Sequence, residues 1–285
     1  MRDYLQLTKP RITWLIVMSA AAGYYLGRTG GWDAWQFLHA LLGTAWMASG
    51  TAALNQWYER NSDALMLRTR NRPIPAGRIA PGRALAFGVA ISLLGFVELW
   101  LGANLAAALC GLITLAIYLG AYTPLKSRTP WATAVGAIPG AMPPLIGYAA
   151  ASGTLDARAL ALFAILWLWQ FPHFLAIGWM YREDYGRGGI LMLTVVDKDG
   201  SRTARQITLC SLLLIPAGLG PAALGMAGSL YAAGSVLLGG TMLASALRMA
   251  RGRTVRSARL LLRTTVLYLP ALYLLMLANA RPAAG

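Results

Sequence analysis

An all-α integral membrane protein, with nine transmembrane helices around a central cavity, is the fold class this sequence predicts, and three observations carry that reading. Of its 285 residues 57% are hydrophobic and 12% charged, and the mean hydropathy is +0.54. Soluble domains carry about a quarter charged residues, so an ordinary water-soluble enzyme is disfavoured. A disordered chain is excluded by the same apolarity. Second, the sequence contains nine apolar runs near 20 residues, the length that crosses a hydrocarbon core of about 30 Å. Third, when the connections are assigned alternately to two faces, one face takes 22 Lys and Arg residues and the other only Arg28, Arg158 and Arg281. That asymmetry puts the N-terminus in the cytoplasm and the C-terminus outside, and it accounts for the net charge of +15 without a nucleic-acid partner.

The nine runs lie at 12–28, 35–55, 84–101, 104–122, 131–150, 159–180, 206–226, 229–247 and 260–279. The first follows MRDYLQLTKPR and, with SAAAG behind it, resembles a signal peptide; eight further runs favour a retained first helix. No Arg- and Ser-rich amphipathic leader precedes it, so a bacterial inner membrane is the expected location. Two cytoplasmic connections, about 56–83 and 181–205, exceed 20 residues, and long connections in compact architectures are usually functional or disordered. Both are rich in specific polar residues, which favours function within one polytopic domain spanning 1–285. Prolines 139, 143, 144, 172, 216 and 270 fall inside the runs and should break or kink helices around a cavity. Cys110 and Cys210 sit alone in apolar stretches and read as packing residues.

The second run passes directly into NQWYERNSDALMLRTRNRPIPAGRI, residues 55–79. Asn55, Glu59 and Asp63 stand at i, i+4 and i+8, so a continuing helix puts them on one face, a line of oxygen ligands at a membrane helix end. Mg²⁺ favours such hard oxygen donors and commonly completes its shell with substrate phosphate oxygens. Arg60, Arg68, Arg70 and Arg72 follow, guanidinium forks suited to phosphate, although a cytoplasmic loop is basic for topological reasons as well. The sixth run ends in WLWQFPHFLAIGWMYREDYGRGGI, bringing Arg182, Glu183, Asp184 and Tyr185 to the same face. These read either as a second polar cluster opposing the first, able to clamp a diphosphate or a second metal, or as a solvated charge run. His173, about seven residues inside that end, reads as a packing histidine, a haem ligand or a donor to a substrate oxygen. Tyr122 and Lys126 close the fourth run and suit a phosphate charge or a cationic intermediate, or an interface anchor. His39 has no such company and reads as structural.

The string N-x-x-x-E-x-x-x-D followed by R-T-x-x-R-P resembles the first acidic motif of the UbiA-type intramembrane prenyltransferases. DYLQLTKPRI at 3–12, YTPLKSRTPWATAVGAIPGAMPPLIGY at 122–148 and WQFPHF at 169–174 resemble the haem-farnesylating branch of that superfamily. The resemblance covers nearly the whole chain and implies transfer of farnesyl from farnesyl diphosphate to a vinyl group of haem b, with addition of water. It implies that Asn55, Glu59 and Asp63 hold Mg²⁺ against the diphosphate, with Arg68 and Arg72 assisting. It further implies that Lys126 and Tyr122 stabilise the leaving group, that Asp184, Arg182 and Tyr185 form the second polar cluster, and that His173 is directed at haem. Terminal oxidase assembly or haem A synthase would receive the product. Glu59 departs from the family's usual aspartate, and Leu191 and Thr194 replace usual prolines. Two other readings compete: an aromatic, quinone-precursor polyprenyltransferase, which shares the Asn55 to Arg72 motif but has no use for His173, and a membrane transporter, for which midplane acids are expected.

Overall fold

A computed structural model describes residues 1–281. Their regular structure is helical, with one isolated bridge between Ala227 and Ala280 and no β-strand among the described residues. A short α1 (Arg2–Leu7) leads into α2 (Pro10–Gly27), which Pro10 starts at the position where its missing N–H costs nothing. Then come α3 (Ala34–Tyr58), the single turn and a half of α4 (Arg60–Leu65), and α5 (Pro81–Gly102). The fourth run becomes α6 (Leu105–Ala116), a π-helical segment Ile117–Tyr122, and α7 (Thr123–Leu125). The fifth divides into α8 (Ala132–Ala141) and α9 (Pro143–Ser152), where the Pro143-Pro144 pair ends one helix and restarts the next. The rest of the chain forms α10 (Ala157–Met180), α11 (Arg182–Arg187), α12 (Leu193–Val196), α13 (Ser201–Ala223), α14 (Ser229–Gly252) and α15 (Val255–Ala278).

Every apolar run is therefore helical, and eight helical segments are long and apolar enough to cross a membrane. The first run forms α2, but its 18 residues, opened by Pro10 and Arg11, are not among those eight. Several helices outrun their apolar stretches. Helix α13 begins at Ser201, five residues before the expected start, because the polar turn SRTAR is helical as well. A capping box between Thr254 and Ser257 starts α15 five residues early. Pro139, Pro172, Pro216 and Pro270 sit inside helices that continue through them, so only the 143–144 pair interrupts a span.

Helix α3 packs chiefly on α5, α2 on α9, and α10 on α13 and α15. Small residues allow the closest of these approaches: a Cβ on Gly147 would overlap the Ala20 carbonyl oxygen, and one on Gly23 the Pro144 carbonyl. Such small-residue contacts are how membrane helices gain van der Waals packing without a hydrophobic driving force. Outward-facing leucines stay uncovered, among them Leu93, Leu237 and Leu267 at 62%, 71% and 71% exposure, as expected of surfaces that lipid covers. Cys110 and Cys210 are free and buried. His39 pairs with Glu98 at 2.7 Å between α3 and α5, which agrees with a structural role.

Candidate active site

The polar residues collect at one end of the bundle, where α2 begins and α3, α6 and α10 finish. A cavity of about 210 Å³ there is lined by Asn55, Glu59, Asp63, Arg68, Arg72, Tyr122, Lys126 and Tyr185, together with Lys9, Tyr118 and an apolar wall that includes Phe174, Ile177 and Leu191. Helix α3 stops at Tyr58, yet the i to i+4 pattern runs on: Glu59 N–H donates to Asn55 O (2.9 Å) and Asp63 N–H to Glu59 O (2.8 Å). The break at Glu59 thus keeps all three oxygen-bearing side chains on the cavity.

Each carboxylate faces a cation. Lys126 Nζ lies 2.6 Å from Glu59 Oε1, and Arg72 Nη1 lies 2.6 Å from Asp63 Oδ2. Burial would raise the Glu59 carboxyl, but Lys126, joined by Lys9 and Arg72, outweighs burial and holds it below the ordinary carboxylate range. Burial dominates at Asp63 and leaves its carboxyl raised, with Arg72 opposing. Lys9 is pushed down to about 8, first by burial and then by repulsion from Arg72. Asn55 is 1% exposed and bonded at both ends of its amide, accepting from Lys9 Nζ and donating to Thr123 Oγ1, each at 3.3 Å. Asp63 Oδ1 is different: it is buried with no hydrogen-bond partner. A buried acceptor in that state calls for a cation or a proton.

The π-helical segment carries the opposite wall. Such i to i+5 turns concentrate at functional sites, and this one brings Tyr118 and Tyr122 edge to face at 5.0 Å, with Lys126 Nζ 4.3 Å from the Tyr122 ring centre. Arg68 lies over Tyr185 and Tyr181 at 5.5 and 5.7 Å.

Three expected site residues do not line this cavity, so the picture of two acidic clusters facing each other across it needs correction. The Asp184 carboxylate is buried and turns to the loop after α4, accepting from Leu67 N (2.8 Å), Arg68 N (3.2 Å) and Arg187 Nη2 (2.9 Å). It positions Arg68 through the backbone. Arg182 lies 4.9 Å from the Trp179 ring centre. His173 faces α15: its Nδ1 is 2.8 Å from Thr265 Oγ1, and its ring stacks on Trp169 at 4.6 Å. Leu191, where a proline was expected from the resemblance, donates its N–H to Lys126 O at 2.7 Å, a bond proline cannot make. Thr194 is buried, with its hydroxyl unpartnered.

Sequence reading passed over Lys9. The residue is left-handed (φ 47°, ψ 59°) directly before Pro10, a place where extended backbone is favoured. A cation beside a helix-opening proline was the available signal, but its partner Asn55 lies 46 residues away.

Fold and cavity together define a multi-pass membrane protein that concentrates cationic and carboxylate side chains at one end of a helical bundle. The chain belongs to the UbiA prenyltransferase family, whose profile matches residues 16–276. It is 58% identical over 288 residues to a protoheme IX farnesyltransferase of Solibacter usitatus (strain Ellin6076), an alignment covering 98% of this chain and 99% of that one. Among solved structures, one described under digeranylgeranylglyceryl phosphate synthase superposes with a TM-score of 0.81 at 16% identity, covering 98% and 97% of the two chains. A UbiA homologue from Archaeoglobus fulgidus bound to GPP and Mg²⁺ superposes with a TM-score of 0.68 at 16% identity, covering 96% and 99%.

Proposed function

We propose that the chain transfers the farnesyl group of farnesyl diphosphate to a vinyl group of haem b, with addition of water and release of diphosphate. The observation that carries this reading is the cavity wall, on which Lys9, Arg68, Arg72 and Lys126 surround Asn55, Glu59 and Asp63, taken with the full-length similarity to a protoheme IX farnesyltransferase. Four cations against two carboxylates leave an excess of positive charge, which suits a diphosphate.

Mg²⁺ fits this donor set: Asp63 Oδ1 is buried and unpartnered, and Asn55 and Glu59 are hard oxygen donors one helical turn apart. Asn55, Glu59 and Asp63 would hold the ion, which when bound supplies further charge neutralisation on the diphosphate oxygens. The residues themselves do the rest. Lys126, Arg68, Arg72 and Lys9 oppose the negative charge that grows on diphosphate as the allylic C–O bond breaks and its electron pair departs with oxygen. The vinyl group then supplies the electrons for the new C–C bond, and water takes up the resulting cation and loses a proton. Tyr118 and Tyr122 offer ring faces to positive charge, while Phe174, Ile177 and Leu191 keep bulk water off the prenyl chain. No protein nucleophile is required.

His173, held by Thr265 and Trp169 outside the diphosphate cavity but one residue from the cavity-lining Phe174, is assigned to the haem side. The bacterial inner membrane, with the N-terminus cytoplasmic and α2 as the first of nine spans, completes the proposal, as does delivery of product to terminal oxidase assembly or haem A synthase. Release of diphosphate by the purified protein tests the acceptor. It should require haem b; release at the same rate with a quinone precursor in place of haem would favour the aromatic prenyltransferase reading.

A further inference from the structure

The three arginines of the face that carries no other Lys or Arg do not stay apart. Arg28 after α2, Arg158 at the start of α10 and Arg281 after α15 come from connections distant in sequence, yet all three line a single cavity of about 200 Å³, with Tyr25, Leu26 and Met226 between them. No carboxylate is among its lining residues. Lys9, before the first residue of α2, lines the site described above, and Arg28, after its last, lines this one. The 18 residues between them separate the two cavities by about 27 Å at 1.5 Å per residue. They are distinct sites at opposite ends of the bundle.

Collecting three guanidinium groups in one cavity is electrostatically unfavourable unless an anion joins them, and no acid is among the described residues that line it. Neither neighbouring acid lines the cavity: Asp156 accepts from Tyr148 OH at 2.9 Å and from the N–H groups of Arg158 and Ala159 and offsets only part of the Arg158 charge, and Asp33 caps α3 by accepting from Gln36 N–H at 2.9 Å. Arg28 is held in place, its Nε donating to Tyr25 O at 3.2 Å and its guanidinium lying over Tyr25 and Trp32 at 4.3 and 5.1 Å. That arrangement leaves the guanidinium fork for a ligand. Guanidinium groups pair bidentately with phosphate, and the cavity sits at the ends of membrane-spanning helices, where aromatic side chains such as the exposed Trp32 and Trp35 mark headgroup depth.

We propose that this cavity binds a phosphoryl anion, supplied by the headgroup of an anionic phospholipid or by free phosphate. Leu26 and Met226 line the same cavity and are placed to meet the apolar part of a lipid. The site is independent of the prenyl diphosphate cavity and of the activity assigned to it.

The test is thermal unfolding of the purified full chain in detergent, titrated separately with phosphatidylglycerol, phosphatidylcholine and inorganic phosphate, for the native chain and for Arg28→Gln/Arg158→Gln. Phosphatidylglycerol should raise the midpoint saturably and phosphatidylcholine should not. The half-effect concentration should rise roughly tenfold or more in the double variant, since each charge-assisted bond lost is worth that much or more. An equal, arginine-dependent shift with inorganic phosphate alone would support the site with free anion as its source. No shift with either, or the same shift in native and variant protein, would overturn the proposal. Circular dichroism before titration confirms that the variant is folded; Arg158→Gln alone, at a half-exposed position, gives the same reading if the double variant does not fold.

Discussion

Replacing Asp184 by alanine tests whether this carboxylate acts as a brace for the cavity-lining loop after α4. Its side chain is buried and receives the backbone N–H groups of Leu67 and Arg68 at 2.8 and 3.2 Å, while Arg187, half exposed, adds a third bond at 2.9 Å. A backbone donor left without its acceptor costs about 1–3 kcal/mol; for these part-buried bonds the lower end applies, and an exposed Arg adds about 0–1 kcal/mol. Asp184→Ala should therefore lower the local stability of the loop by about 2 kcal/mol, a loss of amide protection of roughly 30-fold at Leu67 and Arg68. Asp184→Asn, which keeps one acceptor oxygen, should lose roughly half of that free energy. Because Arg68 lines the cavity, the KM for farnesyl diphosphate should rise about tenfold while kcat falls less. Burial would raise the Asp184 carboxyl, but Arg187, Leu67 and Arg68 outweigh it and hold it below the usual range. Its contribution is thus complete above the ordinary carboxylate pKa and is lost as pH falls through the depressed value, so the native protein should shed the same amide protection only on strong acidification. Hydrogen exchange and steady-state kinetics measure these effects. Unchanged protection at Leu67 and Arg68, or a fall in kcat with KM unmoved, would refute the bracing role.

Asp63→Ala should abolish saturable Mg²⁺ binding in the presence of diphosphate, measured by calorimetry, and reduce turnover by roughly two orders of magnitude or more; binding equal to that of the native chain would remove Asp63 from the metal site. Lys126→Met takes the ion-pair partner from the largely buried Glu59 and should destabilise the protein by about 1–3 kcal/mol, read as a lowered unfolding midpoint. Adding Glu59→Gln should restore the midpoint without restoring turnover, and full recovery of turnover would show that neither residue touches the reaction. Gly147→Ala should lower the midpoint by forcing α9 away from the Ala20 carbonyl, an overpacking cost of about 1–3 kcal/mol; an unaltered midpoint would mean that the α2–α9 contact yields freely.

The membrane fold was readable because hydropathy reports lipid-length helices directly, and each of the nine runs became helix. Where boundaries differ, as at α13 and α15, the helix extends through polar turns that hydropathy does not register. Asn55, Glu59 and Asp63 were legible because four-residue spacing survives the break at Glu59. Arg68 and Arg72 also reach the cavity, through a loop whose course no local pattern specifies, and Tyr122, Lys126 and Tyr185 reach it from the π-helical segment, the end of α7 and α11. Asp184 and His173 show where local reading stops: each side chain is turned by a partner more than 90 residues away, Leu67 and Thr265 respectively. The π-helical register of Ile117–Tyr122 leaves no trace in an apolar sequence, and Lys9 gained its place only through tertiary contact with Asn55.

The most direct test of the proposed chemistry is incubation of the purified protein with haem b, farnesyl diphosphate and Mg²⁺, followed by mass spectrometry of the porphyrin. The account predicts a gain of one farnesyl group plus one water on haem, abolished by a chelator. Unmodified haem, together with prenylation of 4-hydroxybenzoate under the same conditions, would contradict it.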